Sequence, residues 1–292
     1  MTSRLPSVSI ITPVYNGSAF LEELILSVRD QEYPAVEHIV IDDGSTDGGA
    51  TTAILARYPH LRWWSRPNRG QYASMNEGLL AAQGDWVCFI SADDLLTPGA
   101  LQAAMQAVLQ ADLQADLQKN CDVAYGKTLF IRADGTRYEV QNFIHRVPPA
   151  MFAYLNVISH CSLYARRERL IAHNLTFDET LRLTADYDWI VRLVKAGLRF
   201  TYVNRYLSSV RRHAEQASVR SLGEQKHELA SVQRRHGVNQ GLFRFVTTIY
   251  YLRSVAIEIP YLLRTGGIKA LLRRADRWYR RTLKKPDRPV EH

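Results

Sequence analysis

The segment FISADDLLTP, residues 89–98, ends an apolar run with two adjacent carboxylates, Asp93 and Asp94. Adjacent like charges repel each other unless donors or a cation lie between them. One explanation is that Asp94 or Thr97 caps a helix beginning at Pro98, since side-chain oxygens and proline both favour helix starts. The other is that the carboxylates bind a divalent metal, and the surrounding sequence favours this second explanation.

Strand and helix patterns alternate on the N-terminal side of this segment. β-branched and apolar runs predict strands, and apolar residues at helical spacing predict a helix over residues 18–31. The short links between these elements favour a parallel sheet with helices on both faces. The predicted strands are VSIITPV (8–14), VEHIVID (36–42), LRWWS (61–65) and DWVCFIS (85–91).

Polar segments lie at the ends of all four predicted strands, in the order TPVYNG, DDGSTD, RPNRG and SADD. Ligands of open α/β sheets bind at the carboxyl ends of the strands, so four polar endings at one edge predict a pocket. The first loop is neither GxGxxG nor a P-loop. A bound diphosphate would therefore need a metal and basic residues, and carboxylates are suitable ligands for Mg²⁺ or Mn²⁺.

The pattern changes after residue 120. A helix over 98–118 precedes the change, DYDWIVRLVKAG (186–197) predicts an amphipathic helix with a glycine C-cap, and helices are predicted from residue 221 onward. We therefore divide the chain into a domain of residues 1–220 and a helical tail of residues 221–292. Strands are predicted for CDVAYG, TLFIR and TRYEV, with a tight turn at Asp134-Gly135, and for CSLYA (161–165) and LRFTYV (198–203).

The net charge of +8 at pH 7 is concentrated in the tail. Residues 221–292 contain 15 Lys and Arg against 6 Asp and Glu, whereas residues 1–220 contain 22 against 23. A basic tail favours an anionic partner, either a membrane or a nucleic acid, and a solvated helix face is the alternative. The amphipathic segment IKALLRRADRWYRRTLKK (268–285) favours an anionic bilayer surface, and we expect no nucleic-acid partner.

The cysteines and the apolar segments bear on the cellular compartment. Cys88, Cys121 and Cys161 form no CxxC pair. Cys88 and Cys121 lie in apolar strand-like runs, so we expect these two to be buried thiols, and the compartment to be reducing. No signal peptide is visible, and the apolar stretch 241–263 is interrupted by charges and a proline. It lacks the roughly 20 uninterrupted apolar residues that span a bilayer. We therefore expect a cytoplasmic protein, with the tail at the inner face of the membrane.

Four motifs in order, VSIITPVYNG, IVIDDGSTDGG, NRGQYASMNEGL and GDWVCFISADDLLTPGAL, resemble those of the family 2 glycosyltransferases. The match is close over residues 6–110 and looser to residue 218. The resemblance implies the GT-A fold, a Rossmann-like, nucleotide-binding α/β fold with a mixed sheet flanked by helices, here with a helical C-terminal extension. It also implies inverting transfer of a sugar from a nucleotide-diphosphate donor, with a divalent metal and one carboxylate base.

The resemblance places the donor nucleoside at the first two loops. Thr12, Pro13 and Tyr15 would contact the nucleoside. Asp43 would accept a hydrogen bond from a pyrimidine imide, which favours a UDP-sugar donor. Two structural alternatives are open: Tyr15 packs in the core, and Asp43 is a turn or capping residue.

The resemblance also assigns the phosphate and metal contacts. Asn68 would help to hold the base, and Arg69 would approach the phosphates, unless it is a solvated surface charge. Asp93 would bind the donor ribose or sugar, and Asp94 would bind Mn²⁺ or Mg²⁺. The family's usual Asp-x-Asp motif has Ser91 at its first position here, which leaves the division of roles between the two aspartates open.

The segment LTADYDWIVRL (183–193) corresponds to the part of the family that carries the general base. The matching residue is Asp186, with Ala185 in place of the usual Glu; the alternative is a helix N-cap or first-turn carboxylate. RRHAEQAS (211–218) resembles a loop that closes over the diphosphate, in which His213 would reach the metal or the pyrophosphate. The same loop offers further charge and hydrogen bonds from Arg211, Arg212 and Ser218.

These observations leave more than one hypothesis for the function. We expect a metal-dependent enzyme that adds a single sugar, because the Gln-x-x-Arg-Trp motif of processive synthases is missing. Family members without membrane spans often build bacterial surface polysaccharides, which implies a saccharide or lipid-diphosphate-linked acceptor. The alternative is a catalytically decayed nucleotide-sugar or glycan-binding protein, suggested by Ser91 and Ala185. A nucleotidyltransferase is disfavoured because TPVYNG lacks the Gly-rich, basic loop of that chemistry.

Overall fold

The first third of the chain alternates strands and helices in the computed structural model, which describes residues 5–114, 120–140, 147–155, 158–214, 216, 221–250 and 252. β1 pairs in parallel with β2 and β4, and β2 pairs in parallel with β3, so the predicted parallel arrangement is confirmed. The elements are β1 (Val8–Val14), α1 (Leu21–Arg29), β2 (Val36–Asp42), α2 (Ala50–Ala56), β3 (Arg62–Ser65), α3 (Gln71–Ala81), β4 (Trp86–Phe89), β5 (Leu95–Leu96) and α4 (Ala100–Gln114).

The remaining described chain contributes more strands and the helices near the edge of the sheet. The elements are β6 (Val123–Arg132), β7 (Arg137–Val140), α5 (Phe152–Leu155), β8 (Leu163–Arg166), α6 (Arg167–Ala172), α7 (Ala185–Lys195), β9 (Phe200–Arg212) and α8 (Leu222–Arg235). Two 3₁₀ turns occupy Pro149–Met151 and His160–Ser162. Residues 240–250 are also helical.

The predicted strands CDVAYG and TLFIR form one continuous strand, β6. β6 pairs in parallel with β9 along its whole length, and the register shifts next to Gly126 and Lys127. A side chain at Gly126 would place its Cβ 2.6 Å from Leu207, so the close approach of β9 requires glycine there. The long partner strand therefore explains why the two predicted segments are not separate.

The described strands form one mixed sheet, in the order β3-β2-β1-β4-β8-β6-β9-β5, with β7 beside β6. β8 is antiparallel to both β4 and β6, and β9 is antiparallel to β5. The predicted mixed α/β sheet is thus confirmed. Because β9 ends beside β5, the segment after β9 comes close to the two aspartates that precede β5.

The sheet separates two large hydrophobic cores, and a third, smaller cluster lies around Val14, Val40 and Leu55. Successive side chains of β1 point to opposite faces. Ile10 packs in a core with residues of α1 and α4, whereas Ile11 packs in a second core with residues of α3 and α7. Helices therefore cover both faces of the sheet, as the apolar strand patterns predict.

The helix α8 packs on the second core rather than projecting from it. Val232 is fully buried there, and Leu229 packs against the same cluster. The division after residue 220 stays a prediction as a domain boundary, but α8 shares a core with the preceding chain. Within the described residues, no helix is both long and apolar enough to cross a bilayer. The predicted amphipathic segment 268–285 lies outside those residues.

Candidate functional site

The predicted nucleoside residues lie at the carboxyl end of β1 and just beyond it. Tyr15 is half-exposed, and its hydroxyl lies 3.4 Å from Thr46 Oγ1 in the loop after β2. The alternative that Tyr15 packs in the core is therefore wrong. Thr12 and Pro13 are buried within β1, and Thr12 Oγ1 lies 3.0 Å from His38 Nε2 on β2. Of the three residues, Tyr15 alone presents its side chain to solvent.

Asp43 organises the loop that follows β3. Its buried carboxylate accepts hydrogen bonds from the backbone N–H groups of Arg69 and Gly70, at 2.9 and 2.8 Å, and forms an ion pair with Arg66. These contacts agree with the turn-forming alternative, and the contact with a pyrimidine imide stays a prediction. Arg66 was not among the predicted site residues, although it directly follows β3 at the predicted edge.

The loops after β2 and β3 touch each other at Gly44. A Cβ at this positive-φ glycine would lie 2.9 Å from Arg66 O and from Asn68 N. Asn68 and Arg69 are both exposed on the second of these loops. The Arg69 guanidinium lies 3.5 Å from the Glu179 carboxylate, an exposed pair that is screened by water. Both predicted donor contacts are therefore accessible at the predicted edge.

Asp94 is buried and does not cap α4. Its Oδ1 accepts the backbone N–H of Arg211 at 2.9 Å, and its Oδ2 accepts the thiol of Cys161 at 3.1 Å. Burial raises the pKa of Asp94 well above its usual value, and the charges of Cys161 and Asp93 act in the same direction. Asp94 therefore ties β9 to the strand segment before β5.

Asp93 points away from this buried cluster, toward His213. Asp93 Oδ2 lies 3.0 Å from His213 Nε2, and both side chains keep some exposure. The His213 ring packs on Phe20, with ring centroids 5.1 Å apart. The loop before β5 and the residue after β9 thus bring one carboxylate and one imidazole together at the sheet edge.

Asp186 is the second residue of α7 and lies in its first turn, whereas Thr184 occupies the N-cap. Its Oδ1 accepts the backbone N–H of Tyr187 at 2.8 Å, and its Oδ2 lies 3.5 Å from His160 Nδ1. Burial alone lowers the pKa of His160, but the hydrogen bond and charge of Asp186, with the charges of Asp94 and Asp93, raise it above its ordinary value. Three carboxylates therefore act on one histidine.

Arg211 has a structural role that the sequence did not indicate. The predicted contribution of its charge to a bound diphosphate does not fit the structure, because the side chain is fully buried. Its guanidinium donates to Asp93 O, Ala133 O and the Glu23 carboxylate, and lies over the Phe20 ring. Ser218 lies outside the described residues. Cys161 was likewise missed, since an isolated cysteine carries no positional signal in a sequence.

Few side-chain atoms in the described part of the sheet edge are free to bind the predicted metal. Within the described residues, no three His, Cys, Asp or Glu side chains come together as a complete metal-binding group. Asp93 and His213 offer one carboxylate oxygen and one imidazole nitrogen, which Mn²⁺ accepts when substrate oxygens supply the other ligands. Asp94, in contrast, already has a donor on each oxygen.

The chain belongs to the glycosyl transferase family 2, which it matches over residues 9–169. A relative described as an uncharacterized glycosyltransferase, from Rickettsia bellii, is 29% identical over 232 residues, covering 75% of this chain and 31% of the relative. Hyaluronan synthase of Pasteurella multocida is 26% identical over 257 residues, covering 85% of this chain and 24% of that protein. The chain spans 31% to 41% of the length of the first three curated relatives it matches.

Solved structures share the fold. The crystal structure of S. aureus TarS residues 1–349 in complex with UDP-GlcNAc matches with a TM-score of 0.62 at 17% identity, covering 94% of this chain and 81% of that chain. The same TarS fragment in complex with UDP matches with a TM-score of 0.59 at 19% identity. The similarity extends over nearly the whole chain, and it agrees with the predicted GT-A architecture.

Proposed function

We propose that this protein is an inverting glycosyltransferase that moves one sugar from a UDP-sugar to a saccharide or lipid-diphosphate-linked acceptor. The observation that carries the proposal is a chain of contacts, in which His160 lies 3.5 Å from Asp186 and 3.4 Å from Cys161, and Cys161 donates to Asp94. Asp93, the neighbour of Asp94 in sequence, contacts His213. An inverting transfer needs a base for the acceptor hydroxyl and a separate group at the leaving diphosphate. Asp186, at one end of this group of residues, is suited to be the base. Asp93 and His213, at the other end, are suited to act at the leaving diphosphate.

Asp186 is the base in this proposal. Its carboxylate is partly exposed at the first turn of α7, the Tyr187 N–H binds one of its oxygens, and His160 Nδ1 lies 3.5 Å from the other. Asp186 takes the proton of the acceptor hydroxyl on one of its carboxylate oxygens. The acceptor oxygen attacks the anomeric carbon at the same time, and the bond from that carbon to the diphosphate breaks. A carboxylate held in one orientation favours this step because proton transfer requires hydrogen-bond geometry.

We propose that Asp93 and His213, rather than Asp94, hold the divalent metal. Both side chains lie at the accessible edge, whereas the Asp94 carboxylate would have to give up Arg211 and Cys161 to reach a metal. When bound, Mn²⁺ or Mg²⁺ would offset the negative charge that develops on the diphosphate. Arg69, exposed on the loop after β3, would contact the same phosphates after leaving Glu179.

The donor and acceptor are inferred from chemistry and from the relatives. Tyr15 and Asn68 are exposed on the two loops that would enclose a nucleoside, and the structurally similar TarS fragment binds UDP and UDP-GlcNAc. Relatives are named hyaluronan synthase, chondroitin synthase and a putative teichuronic acid biosynthesis glycosyltransferase. These names support a role in surface polysaccharide synthesis for this chain.

An apolar stripe supports a membrane location. Leu242, Phe245, Ile249 and Leu252 are exposed, and their spacing of three, four and three residues puts them on one face of a helix. The tail that contains this stripe carries the excess of positive charge. Apolar and basic side chains together favour the surface of an anionic bilayer, where a lipid-linked acceptor would be held.

The decisive experiment measures nucleotide release from UDP- and GDP-sugars, with Mn²⁺, with Mg²⁺ and with EDTA. We expect release from one UDP-sugar that requires the metal and falls about 10²- to 10⁴-fold in Asp186→Asn, because the base is lost. Asp93→Asn should lower metal-dependent release in the same way. Asp30→Asn, at an exposed carboxylate on the end of α1, is the matched control and should keep full activity.

Two other results would count against the proposal. Tight, metal-dependent donor binding without release, with and without saccharide acceptors, would favour the nucleotide-sugar-binding alternative. Full activity in Asp93→Asn together with loss in a correctly folded Asp94→Asn would return the metal to Asp94. The second result would leave the assignment of Asp186 untouched.

A further inference from the structure

The turn that presents Asp186 is held by a residue 44 positions further along the chain. Glu228, on α8, accepts the backbone N–H groups of Arg182, Leu183 and Thr184 at 3.0, 2.8 and 2.7 Å. Its Oε1 also accepts the Thr184 hydroxyl at 2.7 Å. One carboxylate therefore fixes three consecutive peptide groups immediately before α7.

This contact lies directly before the helix rather than on its first N–H groups. The N-cap residue of α7 is Thr184, whose side chain makes no capping hydrogen bond and whose hydroxyl donates to Glu228. The positive end of a helix favours a nearby carboxylate. Burial raises the pKa of Glu228, but the hydrogen bonds from residues 182–184 lower it below its usual value, so the carboxylate is ionised.

The helix that carries Glu228, α8, is held to the preceding chain by a buried side chain and by polar contacts. α8 is anchored by the fully buried Val232. Two contacts at its C-terminal end reach the same region of the chain: His236 lies 2.9 Å from the buried Asp188, and Arg235 lies 2.7 Å from Asp178. The loop and first turn around Asp186 are thus held by α8 at several points.

We propose that Glu228 is a positioning residue for the general base, and that α8 is part of the catalytic unit. The assignment of the base rests on the proposed function. Glu228 does not touch substrate; it fixes residues 182–184, and these fix the direction in which α7 carries Asp186. Its removal should therefore impair the chemical step and leave donor binding unchanged.

The test compares Glu228→Ala and Glu228→Gln with Glu224→Ala, an exposed carboxylate on the same helix. In Glu228→Ala we expect kcat to fall between about tenfold and a hundredfold, with the KM for the donor and the affinity for UDP within twofold of the unaltered protein. Glu228→Gln keeps the shape and one acceptor oxygen, and should fall in between. Glu224→Ala should match the unaltered protein. In an Asp186→Asn background, Glu228→Ala should cause no further loss, because its effect runs through that carboxylate.

Amide hydrogen exchange at residues 182–184 supplies a readout that needs no substrate. It should be faster in Glu228→Ala and unchanged in Glu224→Ala. An unchanged kcat in a folded Glu228→Ala protein, or a full additional loss in the Asp186→Asn background, would overturn the inference. If the unaltered protein releases no nucleotide from any donor, the proposed function fails, and unchanged exchange at residues 182–184 would then overturn the positioning role separately.

Discussion

Individual side chains at the sheet edge differ in whether they face a ligand or the interior. Asp93 and Asp94 are neighbours in sequence, but Asp94 turns inward to Arg211 and Cys161 while Asp93 turns to His213. Thr12 is a similar case, since its hydroxyl is bonded within the sheet to His38. The orientation of each of these side chains depends on residues of neighbouring strands that are distant in sequence. A short sequence motif therefore does not predict it.

The pair of Thr12 and His38 makes stability depend on pH. His38 is fully buried, and burial, with a smaller effect of the charge on His60, lowers its pKa to about 3. Because the unfolded chain takes up a proton below about pH 6.5 and the folded protein does not, the free energy of unfolding falls as the pH drops from about 6.5 toward 3. The stabilising contribution is complete above that range.

Urea unfolding at a series of pH values measures this effect. His38 should contribute a slope of up to about 1.4 kcal/mol per pH unit, which His38→Gln removes. His173→Gln, at an exposed histidine on the surface, should keep the slope of the unaltered protein. Identical slopes in the unaltered protein and in His38→Gln would show that His38 is protonated in the folded state.

At the scale of elements, the local patterns predict the first half of the fold well. β1 to β4 and their helices follow from strand-like runs and helical spacing, and each of these strands pairs in parallel with another of the four. The second half is different. β9 lies between β6 and β5, and α8 reaches back to the start of α7, so no local pattern indicates either contact.

Helix α3 offers a test of how closely an element packs on the sheet. A Cβ at Gly78 would lie 2.4 Å from the Ile11 side chain and 3.1 Å from Ile41. Gly78→Ala should gain up to about 1 kcal/mol of helix propensity but lose about 1–3 kcal/mol to overpacking, so we expect net destabilisation. Gly223→Ala, in the first turn of α8 with no neighbouring atom within 4 Å, should stabilise or be neutral.

Chemical denaturation of both variants distinguishes the two effects. If Gly78→Ala were more stable than the unaltered protein, α3 would have to pack less closely on β1 than the structure shows. If Gly223→Ala were as destabilising as Gly78→Ala, backbone conformation rather than space would limit both sites. Both variants replace Gly by Ala, so a difference in their stability reports the difference between a crowded and an open position.

At the scale of the whole molecule, the uneven distribution of charge and apolar surface predicts binding to an anionic membrane. Full-length protein should float with vesicles containing phosphatidylglycerol and not with phosphatidylcholine alone, and salt should weaken the binding because it screens the charges. Phe245→Ser combined with Ile249→Ser should reduce flotation severalfold. Leu113→Ser removes a still more exposed apolar side chain on α4 and should have no effect.

Equal flotation of the stripe variant and the unaltered protein would assign membrane binding, if any, to another surface. Flotation that does not respond to salt would show that the basic residues of the tail do not contribute. These outcomes concern membrane association and do not bear on the proposed role of Asp186 as the base. Donor hydrolysis in solution can be measured on the same variants as an internal control.

The bond between Asp94 and Arg211 also affects how the protein is made. It joins residues 117 positions apart, and β9 must be in place before it can form. When the ribosome has produced the first four parallel strands, it has produced neither β8, which pairs with β4, nor β9, and the Asp94 carboxylate still lacks its backbone partner. Such distant pairing slows folding and lengthens the time that unfinished edges are exposed. Interrupted synthesis before residue 200 would therefore leave a fragment that is prone to aggregate and lacks His213, rather than a smaller working enzyme.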